Sequence, residues 1–116
     1  MIAIHRQLAE SNSEPPLFEP GQLVCHRRYR YRGVVVERDE YCQADEAWYH
    51  TNQTQPLRDQ PWYHVLVHDS ASCTYAAAEN LVIDTSGLPV AHPLVPYFFS
   101  EWKEGSYIRN SQRWPG

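Results

Sequence analysis

From Gln22 onward the apolar residues come in short runs broken by glycine, proline, asparagine and serine, a pattern of strands rather than long helices. Leu23-Val24-Cys25-His26-Arg27-Arg28 predicts a first strand. Arg32-Gly33-Val34-Val35-Val36-Glu37-Arg38-Asp39 predicts a second, with its β-branched run behind a glycine. The tyrosines and arginines between them form the hairpin connection or its flanks. Asp39 to Pro61 carries few strand signals, and Asp45-Glu46-Ala47-Trp48-Tyr49 fits one helical turn inside a long loop. A structureless stretch of about twenty residues in a small domain marks a functional or mobile loop. The strongest alternation is Trp62-Tyr63-His64-Val65-Leu66-Val67-His68; Asp69-Ser70-Ala71-Ser72 turns, and Cys73-Thr74-Tyr75-Ala76 returns antiparallel. Ala77–Leu81 suits a short helical turn before Val82-Ile83, and His92–Phe99, among Pro89, Pro93 and Pro96, suits a short helix that lays aromatics on the sheet. About five short strands with regular turns predict an all-β fold, a small antiparallel barrel with a long loop and short helical turns. Ser11-Asn12-Ser13-Glu14-Pro15-Pro16 is polar and proline-bearing, so residues 1–17 read as a flexible arm, 18–110 as the domain and 111–116 as a tail.

At 116 residues and 13.5 kDa the chain fits one domain, with enough buried surface to fold without staples. Aromatics at 13% and hydrophobics at 42% exclude a wholly disordered chain. No apolar run approaches the roughly 18–20 residues of a membrane span. The start, Met1-Ile2-Ala3-Ile4-His5-Arg6-Gln7, lacks the apolar core of a secretory leader. Cys25, Cys42 and Cys73 are odd in number and have no C-x-x-C spacing, which favours a reducing, cytoplasmic setting over a disulfide framework. A formal charge of -4 is not the overall footprint of a nucleic-acid binder. The distribution is uneven, however: Arg27, Arg28, Arg30 and Arg32 crowd an acid-free stretch, while Glu37, Asp39, Glu40, Asp45 and Glu46 follow.

Extended through Arg32, the first strand would place His26, Arg28, Arg30 and Arg32 on one face and Cys25, Arg27, Tyr29 and Tyr31 on the other. Such a face binds phosphate through guanidinium forks, with Tyr29 and Tyr31 available to stack; alternatively it is a solvated face paired with Glu37, Asp39 and Glu40 across the hairpin. His64 and His68 are four apart, but on a strand that spacing is about 13 Å, too wide for one metal ion. No metal or other cofactor is expected, and His64 reads as an inward histidine satisfied by a polar neighbour. There is no G-x-S-x-G, phosphate loop or H-E-x-x-H, so no enzyme is expected. Trp62, Tyr63, Tyr75, Phe98 and Phe99 read mainly as core, with a base-stacking platform as the alternative. Trp48, in a polar loop, is either a plug over a barrel mouth or a partner anchor. Trp102 and Trp114 near the tail are candidates for an oligomer or partner contact.

Gly21-Gln22-x-Val24, Tyr31-Arg32-Gly33-Val34-Val35-Val36, Gln60-Pro61-Trp62-Tyr63-His64-Val65-Leu66-Val67, Tyr75 with Ala78-Glu79-Asn80-Leu81, and His92-Pro93 before an aromatic segment occur in that order. On these motifs the chain resembles the YccV-like family, also called hemimethylated-DNA-binding or HspQ-like, from about Phe18 to Asn110. The resemblance implies a small SH3-like barrel without known enzymatic activity. Its members are described as binding hemimethylated DNA, as heat-shock factors and as enhancers of substrate choice by the Lon protease, and similar domains occur attached to F-box proteins. The family supplies no catalytic motif to transfer.

Two readings follow. In the first, Arg27, Arg28, Arg30 and Arg32 contact the phosphates of double-stranded, hemimethylated DNA, with a tyrosine against the methyl group of one N6-methyladenine; four such contacts give a log–log salt slope near -4, at about 0.9 per phosphate. In the second, the chain is a stress-response adaptor that contacts the Lon protease or its substrates through Trp48 and Trp102. Neither requires a membrane. The chain length leaves no room for an F-box region.

Overall fold

A computed structural model describes residues 15–52 and 54–115. The order is β1 (Leu23–His26), β2 (Arg32–Asp39), helix α1 (Glu46–Thr51), β3 (Trp62–Val67), β4 (Cys73–Ala77), a 3-10 turn (Ala78–Asn80), β5 (Leu81–Ile83), helix α2 (Val95–Phe98), β6 (Phe99–Lys103) and β7 (Ser106–Arg109). The fold is all-β, as the pattern predicts. β4-β3-β2-β1-β5 form one antiparallel sheet and β6-β7 a ribbon, with no ladder closing β4 onto β5 among the described residues. Most of the predicted arm, residues 1–14, lies outside the described residues.

The sheet buries both faces, which is why Val34, Val35 and Val36 are all fully buried instead of alternating. Val24, Val35, Tyr63, Val65, Ala76 and Leu81 gather with Phe18 on one side. Leu23, Val34, Val36 and Leu66 meet Val90, Phe98, Phe99 and Tyr107 on the other. Each buried aliphatic side chain contributes about 1.5–3 kcal/mol relative to exposure. The β2–β3 register shifts between Val35 and Glu37, a bulge with Val36 as the extra residue. Beyond it Glu37 stands opposite His64 and Asp39 opposite Trp62. The bulge therefore carries Asp39 onto the face that His64 shares with Tyr75 of β4.

Gly21 ties the ribbon to the sheet. Its N–H donates to Val35 at 2.7 Å, its carbonyl accepts from Tyr107 at 2.9 Å, and its φ of 101° is one that a side chain resists. The ribbon is an element that the sequence pattern did not indicate. Two predicted features also change. β1 ends at His26, two residues early, because Arg27–Tyr29 turn and Arg30 takes a left-handed φ of 66°. The predicted arginine-bearing strand is thus a hairpin turn. The predicted pairing of its arginines across the hairpin does not form either: Arg32 binds Asp84, whereas Glu37 meets Arg109 and Glu40 meets Arg38.

Candidate functional site

The β1–β2 hairpin is shaped by His26, which is 4% exposed. Its Nδ1 accepts the backbone N–H groups of Arg28 at 3.1 Å and Tyr29 at 3.0 Å. Its ring stacks on Tyr29 with centroids 4.6 Å apart and lies 5.2 Å from Tyr31. Burial, then the Arg28 charge, hold the imidazole pKa below its ordinary value. A histidine that accepts two N–H groups on one nitrogen has to be neutral there, so the electrostatics and the geometry agree.

The hairpin presents Arg27, Arg28, Tyr29 and Arg30 to solvent. Arg27 donates to the Glu79 carbonyl at 3.1 Å while remaining exposed. Arg28 and Arg30 make no ion pair among the described residues. Arg32 differs: its Nε meets Asp84 at 2.7 Å and its Nη2 donates to the Leu88 carbonyl. Burial would raise the Asp84 carboxyl, but bonds from Arg32 and Ser86 outweigh it and hold the group below its usual value. Of the four arginines predicted as phosphate contacts, the structure places Arg27, Arg28 and Arg30 together at the hairpin, while Arg32 ties β2 to the segment after β5.

Beside the hairpin lies a cleft of about 380 Å³. One wall holds His26, Tyr29 and Tyr31, the last with its hydroxyl 2.7 Å from that of Thr74. The other holds Trp48, Trp62 and Tyr75. α1 begins where the Asp45 carboxylate caps the Trp48 N–H at 2.8 Å. That cap aims the Trp48 ring at Trp62 (6.1 Å) and Tyr75 (5.6 Å). Trp48 is therefore half-buried against an aromatic cluster and lines the cleft. Trp62, Tyr63, Phe98 and Phe99 are buried as predicted, whereas Tyr75 is half-buried and lines the cleft.

Behind Tyr75 is a polar network absent from the sequence reading. The Tyr75 hydroxyl donates to Asp39 at 2.6 Å, and His64 Nε2 lies 3.2 Å from the same oxygen. His64 stacks on Tyr75 at 4.4 Å. Burial, then the Asp39 bond, push the Tyr75 pKa well above the ordinary tyrosine range. His64 is thus the inward, satisfied histidine that was predicted. Its pairing with Tyr75 could have been found by setting the β3–β4 register, which aligns the two directly. Trp102 packs on Tyr107 at 4.7 Å, and Trp114 on Phe98 at 5.4 Å and His64 at 5.1 Å, so both rings lie against the chain's own second core cluster.

A family model described as hemimethylated DNA-binding protein YccV like matches residues 16–106. Over 95 residues the chain is 36% identical to F-box only protein 21 of Pongo abelii and of Homo sapiens, covering 79% of this chain and 15% of each relative. Over 107 residues it is 33% identical to F-box only protein 21 of Mus musculus, covering 90% of this chain and 17% of that protein. The chain therefore spans a small part of the length of these curated relatives. No solved structure matches it.

Proposed function

This chain belongs to the YccV-like family, and from that premise we propose that it is a non-enzymatic module that binds double-stranded, hemimethylated DNA with its β1–β2 hairpin. The observation that carries the reading is the cluster of exposed guanidiniums on Arg27, Arg28 and Arg30, held on a turn that His26 fixes. Arginine forks suit phosphate oxygens, and such contacts position a protein on a duplex without specifying sequence. The overall charge of -4 opposes the polyanion, so binding is weak at physiological salt and strengthens as salt falls. With Arg32 engaged elsewhere, three contacts give a log–log salt slope near -3, at about 0.9 per phosphate.

Fluorescence anisotropy with matched hemimethylated, fully methylated and unmethylated duplexes, each over a salt series, tests this. Tightest binding to the hemimethylated duplex is expected, with the slope reduced by about one unit in Arg28→Ala or Arg30→Ala. A flat salt response, or equal affinity for all three duplexes, removes the reading.

The uncharged aromatic cleft beneath Trp48 favours a second reading, an adaptor that modulates Lon proteolysis by gripping a protein segment. Substrate turnover by Lon with and without the protein decides it; unchanged turnover removes the adaptor role.

A further inference from the structure

We infer that the cleft between the hairpin and α1 receives a single nucleobase turned out of the duplex, an N6-methyladenine by the chemistry of its walls. The inference rests on the DNA reading above and assigns the part of the site that recognises the methylated base. A concave pocket reads a base only after the base leaves its stack. Four observations fit that use.

The cleft's two aromatic walls leave room between them. His26 and Tyr31 make no ring contact with Trp48, Trp62 or Tyr75 among the described residues, although the rings within each group pack on one another in tilted or edge-on arrangements. A planar heterocycle fills such a gap by stacking, which every base allows. The size is suitable too: about 380 Å³ falls within the roughly 300–1,000 Å³ of small-ligand clefts.

Charge is partitioned as a nucleotide requires. None of the cleft-lining residues is Asp, Glu, Lys or Arg, which suits a neutral base. Arg28 and Arg30 flank Tyr29, itself a wall residue, and place guanidiniums where the flanking phosphates would lie. Finally, Asn80 lines the cleft, and its backbone carbonyl accepts the Arg27 backbone N–H at 2.8 Å, which holds the residue beside the hairpin. A side-chain amide is the natural partner of the adenine N6/N7 edge. The methyl group adds apolar surface that the rings shelter, an expected preference of about fourfold over adenine.

The experiment compares duplexes in which N6-methyladenine faces thymine or an abasic site, with 2-aminopurine beside the target base reporting unstacking. Extrusion gives a fluorescence rise on binding, and the abasic-opposed duplex, with no pair to break, binds about tenfold tighter. Asn80→Leu weakens binding of adenine and N6-methyladenine targets alike while keeping the Arg28-dependent salt slope; Tyr29→Ala, at an exposed position, removes a wall ring and reduces the N6-methyladenine preference over adenine. If the duplexes bind with the arginine-dependent slope but show neither the fluorescence rise nor the abasic gain, extrusion is overturned and hairpin binding stands. If no duplex binds, the DNA reading itself falls, and the cleft passes to a protein segment.

Discussion

The His26 ring stacks on Tyr29 with centroids 4.6 Å apart, and its Nδ1 accepts the Tyr29 backbone N–H at 3.0 Å, so one side chain fixes both backbone and ring of the hairpin tip. A proton on Nδ1 would end that role. Because the folded pKa is lowered, the unfolded chain binds the proton more readily below pH of about 6.5, and stability there falls as pH falls. Thermal unfolding followed from pH 7.5 to 5.5 should show a plateau above about 6.5 and a decline below it. His26→Ala should start about 1–3 kcal/mol lower, since two N–H groups lose their acceptor, and should lack that part of the decline.

The arginines separate by role. Arg32→Ala breaks the bonds to Asp84 and the Leu88 carbonyl and should lower the unfolding midpoint measurably. Arg28→Ala and Arg30→Ala should stay within about 0.5 kcal/mol of the parent. In the Asp84 pair the folded carboxyl lies low, so the pair's contribution is complete above the unfolded pKa of about 3.9 and is lost as pH falls through the folded value. Equal midpoints for Arg32→Ala and Arg28→Ala would contradict this division.

Gly21 admits no side chain. Its φ is 101°, and an added Cβ would collide with the Tyr107 carbonyl, a backbone group with little room to shift. Gly21→Ala should cost about 2–3 kcal/mol or more through strain and a displaced ribbon. Gly87→Ala is the control: its φ is 72° but nothing lies near its Cβ, so only the conformational cost of about 1–2 kcal/mol applies. Chemical denaturation of both variants reads the difference.

Tyr75 sets an alkaline limit. Its raised pKa makes the folded chain hold the phenolic proton after the unfolded chain has lost it, so this contribution is complete below pH of about 10 and declines above it. Tyr75→Phe should cost about 1–2 kcal/mol at neutral pH by leaving Asp39 without its hydroxyl donor. Circular dichroism between pH 9 and 12 should show a shallower alkaline decline in that variant.

The strands of the central hairpins were legible because turn residues bound β-branched and aromatic runs. β2 spans Arg32–Asp39 as the pattern predicts, and β3 and β4 differ from it by one residue each. What escaped depended on backbone conformations that residue type conceals. Arg30 at φ 66° ends a strand without a glycine to announce it. The β6–β7 turn puts Glu104 at φ 54° and Gly105 at φ 85°, a left-handed pair for which asparagine would be the usual signal. Asp39 sat at the end of the predicted strand with nothing in the sequence to fix its partner, because only the bulge reveals that it faces Tyr75.

That bulge makes the chemistry of the cleft a matter of counting. Were β2 to run through Val36 without the bulge, strand alternation would turn Asp39 to the opposite face, among Val35, Tyr63 and Val65, and Tyr75 would lose its carboxylate while every residue kept its identity. A chain of this fold with one residue fewer between the glycine at Gly33 and the strand-end acid would support the Tyr75 wall without a bulge, whereas a chain of this length supports it only with one. The spacing carries this information even where the residues themselves differ.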